Sequence, residues 1–137
     1  MSRLGLGTMA WGVGTTIEDA RDHLKTYLAA GGDFVDSAFG YGDGASEEVL
    51  GTMLGALVPR DDLVICTKAG ISRPSRTRVV DTSRRALLNQ LETSLQRLGT
   101  PHVHLWLVHP GGAAAPPHAT PSATACAAPS RPAAPVG

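Results

Sequence analysis

The chain has 137 residues, enough for one ordinary domain, and its 12 Lys plus Arg balance 12 Asp plus Glu for a formal net charge of zero. That balance gives no electrostatic footprint for nucleic acid, and no run of like charge marks an interaction tail. Cys66 lies in an apolar run and Cys126 in a Pro/Ala-rich stretch, so a disulfide framework is a poor fit and a reducing cytoplasm is the expected setting, while "MSRLGLGTMAWG" has no apolar segment long enough for a signal peptide or membrane span.

In chain order, "LGLGT" reads as a short apolar strand or the end of one. "TTIEDARDHLKTYLAAGG" follows as a helix with Ile17, Ala20, Leu24, Tyr27 and Leu28 on one face. Thr15 and Glu18 have the spacing of a capping box, and Gly31 is a fitting terminator. "DFVDSA" is the second strand. The longer stretch "FVDSAFGYGDGASEEVLG" runs from that strand through glycines into an acidic helix start. Ser46 is the expected N-cap of this second helix, with Glu47 and Glu48 in its first turn. Val49, Leu50, Met53, Leu54 and Leu57 are its apolar positions, and Pro59 ends it. "LVICTK" is a near-continuous apolar run, the pattern of a strand covered on both faces. "TSRRALLNQLETSLQRLG" carries Leu88, Leu91, Leu95 and Leu98 at helical spacing and stops at Gly99. "VHLWLVH" is the fourth strand.

Strands alternating with helices mean βαβ units and a parallel sheet. The expected fold is α/β with four parallel strands and three helices over residues 1–110. Residues 111–137 have no periodicity and a large excess of Ala and Pro, a composition expected to be disordered.

In parallel α/β proteins function gathers at the C-terminal ends of the strands. The second strand delivers Asp36 and, five residues on, Tyr41; the third delivers Lys68; the fourth delivers His109. A phenol near its reference pKa of about 10 is a poor proton donor at neutral pH. A neighbouring ammonium favours its ionised form, and a carboxylate keeps the ammonium charged and in place. A histidine can orient a substrate carbonyl. The set is therefore suited to protonating a carbonyl oxygen while hydride arrives at the carbon. Singly, each residue has a plainer reading: a turn cap, a packing tyrosine, a surface charge, a core histidine. All four at one end of consecutive units outweigh those readings. His23, His102, His104 and His118 keep the plain one. No metal site is expected. "GLGTMA" (residues 5–10) matches the G-x-G-x-x-G/A fingerprint, but almost no strand precedes it and the helix starts only at Thr15 or Thr16, so the dinucleotide-fold reading fails in context.

These residues resemble the aldo-keto reductase family. "RLGLGTMAWG" looks like its first barrel strand, "FVDSAFGYGDGASEEVLG" is similar to its D-[ST]-A-x-x-Y-G-x-G-x-S-E-x-x-[LI]-G signature, and "VICTKAG" and "LWLVHP" look like its third and fourth strand signatures. The resemblance covers residues 3 to 110. It implies part of a (β/α)8 barrel that binds NADP(H) and reduces small aldehydes or ketones. The family's tyrosine acid falls on Tyr41, its lysine on Lys68, its aspartate on Asp36 and its histidine on His109. Its nicotinamide-side residues fall on Gly7, Thr8, Met9 and Asp36. A family barrel is on the order of 250 residues, and the recognisable pattern here stops after four strands, before the family's adenosine clamp. The expectations are a frameshift near codon 110, negligible activity of the isolated chain, and self-association through exposed strand edges. A regulatory relative or a degenerate fragment is the alternative.

Overall fold

The computed structural model of the chain describes residues 1–109, so the boundary at Pro110, the tail and Cys126 lie outside the described residues. Strand and helix alternate as β1 (Leu6–Gly7), α1 (Ile17–Ala29), β2 (Phe34–Asp36), α2 (Ala45–Gly51) and β3 (Val64–Ala69). They continue as β4 (Ile71–Ser72), β5 (Val79–Val80), α3 (Arg84–Leu98) and β6 (Leu105–Val108). Four strands form one parallel sheet in the order β1-β2-β3-β6. Each is therefore the spatial neighbour of the sheet strand before it, joined by a crossover that carries a helix, which is the connectivity of consecutive βα units.

Register sorts the side chains into two faces. Asp36 lies opposite Cys66, and Cys66 opposite Leu105. Because side chains alternate along a strand, Asp36, Cys66, Lys68, Leu105 and Leu107 share one face. Val35, Ile65, Thr67 and Trp106 point to the other. The helices cover that second face: Val35, Ile65, Leu24, Leu50, Met53, Leu63 and Leu98 are buried in one apolar cluster. Each large aliphatic side chain fully buried there contributes about 1.5–3 kcal/mol. On the opposite face Leu105 and Leu107 are 38% and 46% exposed.

Several local expectations need correction. The cap of α1 is Thr16, not Thr15: its hydroxyl oxygen accepts from the Asp19 backbone N–H at 3.1 Å and donates to the Asp19 carboxylate at 2.8 Å. Thr15 is unavailable because its N–H and C=O are spent on Ala10 and Gly12 in the preceding turn. Nor does Ser46 cap α2. Gly44, at φ 105°, holds the N-cap position and Ser46 lies inside the helix, fully buried. That helix ends at Gly51, well before Pro59. A side-chain carbon at Gly51 would stand 2.3 Å from the Arg97 carbonyl oxygen, so the two helix backbones meet there. Leu54 and Leu57, expected on the helix, sit instead in the turn that follows and are only partly buried. On α3 the buried positions are Leu87, Ser94 and Leu98, and Leu88 is exposed. The antiparallel pair β4–β5 is an addition that the sequence pattern did not announce. Among the described residues, no helix is long and apolar enough to cross a membrane and no His/Cys/Asp/Glu group is arranged for a metal.

Candidate active site

Parallel pairing brings the C-terminal ends of β2, β3 and β6 side by side, and backbone hydrogen bonds extend the ladder past the strands. Ser37 N–H donates to Cys66 C=O at 2.9 Å, Phe39 N–H to Lys68 C=O at 2.9 Å, and His109 N–H to Ala69 C=O at 2.7 Å. The loop carrying Tyr41 is thus stitched onto β3, and His109 is held at the end of β6 by the same strand.

The loop then turns sharply. A side-chain carbon at Gly40 would lie 2.6 Å from the Ile71 carbonyl oxygen, so only glycine fits. Gly42, Asp43 and Gly44 follow at φ 59°, 57° and 105°, three successive left-handed residues. Glycine adopts that region freely, and aspartate tolerates it better than most residues. The run carries the chain from Tyr41 into the first turn of α2.

Lys68 is the hub. Its ammonium donates to the Asp36 carboxylate at 2.7 Å, to the Ser37 carbonyl at 2.9 Å and to the Tyr41 hydroxyl at 3.2 Å. An ammonium has three N–H groups, so this set uses each once and fixes the position of the charge. The nitrogen also lies 4.9 Å from the centre of the Tyr41 ring. The Lys68 side chain is 13% exposed. Burial alone pulls an ammonium down, but the hydrogen bonds to Asp36 and Tyr41 outweigh it and hold Lys68 above its ordinary value, so it stays charged at neutral pH. Behind Asp36, burial chiefly, with the nearby carboxylate, pushes the Cys66 thiol up to about 11, which keeps it protonated and inert. The ring of His109 stands edge-on to Tyr41 with centroids 6.2 Å apart.

The structure therefore brings Asp36, Tyr41, Lys68 and His109 together at one end of the sheet. The first-strand residues behave differently from one another. Gly7 is open, with nothing within 4 Å of where a side chain would start, and Met9 is exposed. Thr8 is turned inward, its hydroxyl bonded to the Asp36 carbonyl at 3.2 Å and to the Ser46 hydroxyl at 2.7 Å. Ser46 in turn donates to the Thr8 carbonyl at 2.8 Å, so it fastens β1 to α2. A depression of about 590 Å³ lined by Gly12, Val13, Thr15, Glu48, Val49 and Thr52 contains none of the four converging residues.

Three further polar residues support the loop from the helix side. Glu47 is completely buried, accepts from the Thr67 hydroxyl at 2.6 Å, and pairs with Arg97 at 3.4 Å. The sequence presented Glu47 as a first-turn charge and Arg97 as one polar residue of a helix. No signal in the sequence marks the pair: Arg97 follows Ser94 by three positions on α3, but only the structure shows Ser94 to be buried.

Comparison with known proteins agrees with this architecture. The family described as the Aldo/keto reductase family matches residues 3–126, running on past Pro110. Aldo-keto reductase YhdN of Bacillus subtilis is 32% identical over 114 residues, covering 79% of the chain and 34% of that protein. The NADH-specific methylglyoxal reductase of Escherichia coli is 32% identical over 139 residues, covering 90% of the chain and 42% of that protein. Among solved structures, an aldo-keto reductase from Pseudomonas aeruginosa superposes with a TM-score of 0.73 at 34% identity, covering 82% of the chain and 43% of that protein. The chain thus spans between a third and a half of the length of these three relatives.

Proposed function

The chain belongs to the Aldo/keto reductase family, and from that premise we propose that residues 1–109 carry the proton-transfer half of an NADP(H)-dependent carbonyl reductase. The family's members are nicotinamide-dependent carbonyl reductases. Preference for NADP(H) over NADH belongs to the proposal, since one relative is described as NADH-specific. The observation that carries the reading is the Lys68 ammonium held between the Asp36 carboxylate at 2.7 Å and the Tyr41 hydroxyl at 3.2 Å.

Tyr41 gives its proton to the carbonyl oxygen of a small aldehyde or ketone. The oxygen left on Tyr41 is stabilised by the Lys68 ammonium, which needs no rearrangement at that moment because its other two donors are already engaged. Asp36 keeps that ammonium charged and aimed. His109, edge-on to Tyr41, orients the carbonyl by a hydrogen bond. A reduced nicotinamide, when bound, supplies the hydride. The open space at Gly7 and the exposed Met9, at the same end of the sheet as Asp36, support a role for these residues and for Thr8 in holding it. Thr8 contributes from behind, by its bonds to Asp36 and Ser46.

A chimera tests the reading: residues 3–109 replace the matching segment of the Pseudomonas aeruginosa aldo-keto reductase. It is expected to reduce small aldehydes with NADPH, and Tyr41→Phe is expected to lower kcat by roughly 10²–10⁴-fold, the range for loss of a general acid. A Tyr41→Phe chimera as fast as its parent would remove Tyr41 from the role. For the isolated 137-residue chain, negligible turnover is expected, because remote cofactor contacts position the hydride donor and the four parallel strands of the described residues supply few of them.

A further inference from the structure

Arg97 touches the Tyr41 loop on both sides of the tyrosine. Its guanidinium donates to the Phe39 carbonyl at 3.2 Å and to the Asp43 carbonyl at 3.5 Å, two residues before and two residues after Tyr41. The same guanidinium lies 4.5 Å from the centre of the Phe39 ring. A side-chain carbon at Gly44 would fall 2.3 Å from the guanidinium carbon, so the third left-handed residue of the loop leaves just enough room for it. Within the loop, Tyr41 N–H donates to the Ala38 carbonyl at 3.0 Å and Asp43 N–H to the Gly40 carbonyl at 3.4 Å; Arg97 adds the side-chain contacts that tie both limbs of the loop to α3.

Glu47 holds Arg97 from behind. It is fully buried, and its two oxygens are divided between Arg97 at 3.4 Å and the Thr67 hydroxyl at 2.6 Å. Thr67 precedes Lys68 on β3. A continuous polar chain therefore runs from the carbonyls flanking Tyr41, through Arg97 on α3 and Glu47 on α2, to the strand residue next to Lys68. A buried carboxylate is costly unless paired and hydrogen-bonded, and it adds less to stability than a well-packed apolar residue of its size. Its use here is geometric. The planar fork of the guanidinium spreads its donors over two carbonyls four residues apart and a carboxylate, a spread that the compact ammonium of a lysine does not match.

We propose that Arg97 and Glu47 are positioning residues that set the distance between the Tyr41 hydroxyl and the Lys68 ammonium by clamping the Tyr41 loop to the helix face of β3. The role rests on the proton-transfer reading for its purpose, but the clamp itself is open to test without turnover. The chain has two tyrosines. Tyr27 sits at the other end of β2, its hydroxyl 2.6 Å from the Leu4 carbonyl, and serves as an internal control. The full chain labelled with 13C at the tyrosine ring carbon bearing oxygen gives two resonances, assigned by Tyr27→Phe.

In Arg97→Met the Tyr41 resonance is expected to move toward the free-tyrosine position or broaden beyond detection, with Tyr27 unchanged. Millimolar guanidinium is expected to restore it in part. Arg97→Lys, which keeps the charge beside Glu47, is expected to displace Tyr41 in the same way and covers the case in which the methionine variant does not fold. An unmoved Tyr41 resonance in either folded variant overturns the proposal. So does equal movement of both tyrosines, or failure of both variants to fold, since either result makes Arg97 a residue of the whole fold. Lys68→Met in the same labelled chain separates the two claims. Tyr41 unmoved by Lys68→Met but moved by Arg97→Met sinks the proton-transfer reading and leaves the clamp standing.

Discussion

The two faces of the four-stranded sheet are built from the same strands and do opposite things. The helix-covered face takes Val35, Ile65 and Thr67 to complete burial, with Val35 and Ile65 inside the apolar cluster. One residue along each strand, the other face carries Asp36, Cys66 and Lys68, and then Leu105 and Leu107, which are partly exposed. Alternation along β3 makes the contrast sharpest: Thr67 is locked to a buried glutamate, and Lys68 faces an aspartate and a phenol. Stability is drawn from one face and chemistry from the other, so changes on each should leave the other's property largely alone.

The largest expected effect is on the packed face. Leu50→Ala should destabilise the chain by about 2–5 kcal/mol, the cost of a core cavity, read from urea unfolding followed by fluorescence of the buried Trp11. Leu107→Ala on the open face should cost under about 1 kcal/mol, in proportion to its partial burial. Similar losses from both would erase the contrast. Next in size, Gly51→Ala puts a methyl group 2.3 Å from a backbone oxygen of α3 and should cost roughly 1–3 kcal/mol by overpacking; an unchanged unfolding midpoint would mean the two helices can slide apart freely.

A third consequence concerns association. Among the described residues β6 is an apolar, partly exposed strand at the edge of the sheet, and such an edge offers backbone for pairing with another chain. Size-exclusion chromatography with light scattering is expected to find an oligomer that Leu107→Lys shifts toward monomer. A sharp monomer peak for the unaltered chain would contradict this. The smallest effect is electrostatic. Burial, with Arg60 and His102 nearby, holds His104 below its ordinary value, and its ring nitrogen accepts from the Ile65 N–H at 3.1 Å. A histidine depressed in the folded state contributes stability above the unfolded value near 6.5, lost as pH falls through the lower folded value. His104→Asn should flatten that acid-side decline, and an identical pH profile for the variant would exclude the mechanism.

How much of this was legible from sequence follows from how local each cause is. The Tyr41 loop could be read because Gly42 and Gly44 answer to a local backbone need, both being left-handed. Asp36 and Lys68 were legible as polar residues ending apolar strands. The Glu47–Arg97 pair was not, because its partners are fifty residues apart and each alone looks like a solvated charge. Ser46 had the composition of a cap, but tertiary contact with Thr8 claimed its hydroxyl. In α3 the adjacent Leu87 and Leu88 leave the helical phase ambiguous by one position, and only tertiary packing, beside Gly70 at the end of β3, decides for Leu87. Strands as short as β4 and β5 carry no period at all.

The division between the faces is tested most directly by Lys68→Met in the chimeric reductase, with kcat and the urea midpoint measured on the same preparation. The expected result is a fall in kcat of at least about 10²-fold, comparable with loss of a positioned charge in a transition state, with the midpoint essentially unchanged. Retained turnover would contradict the account, and so would a loss of turnover that merely tracks a loss of fold.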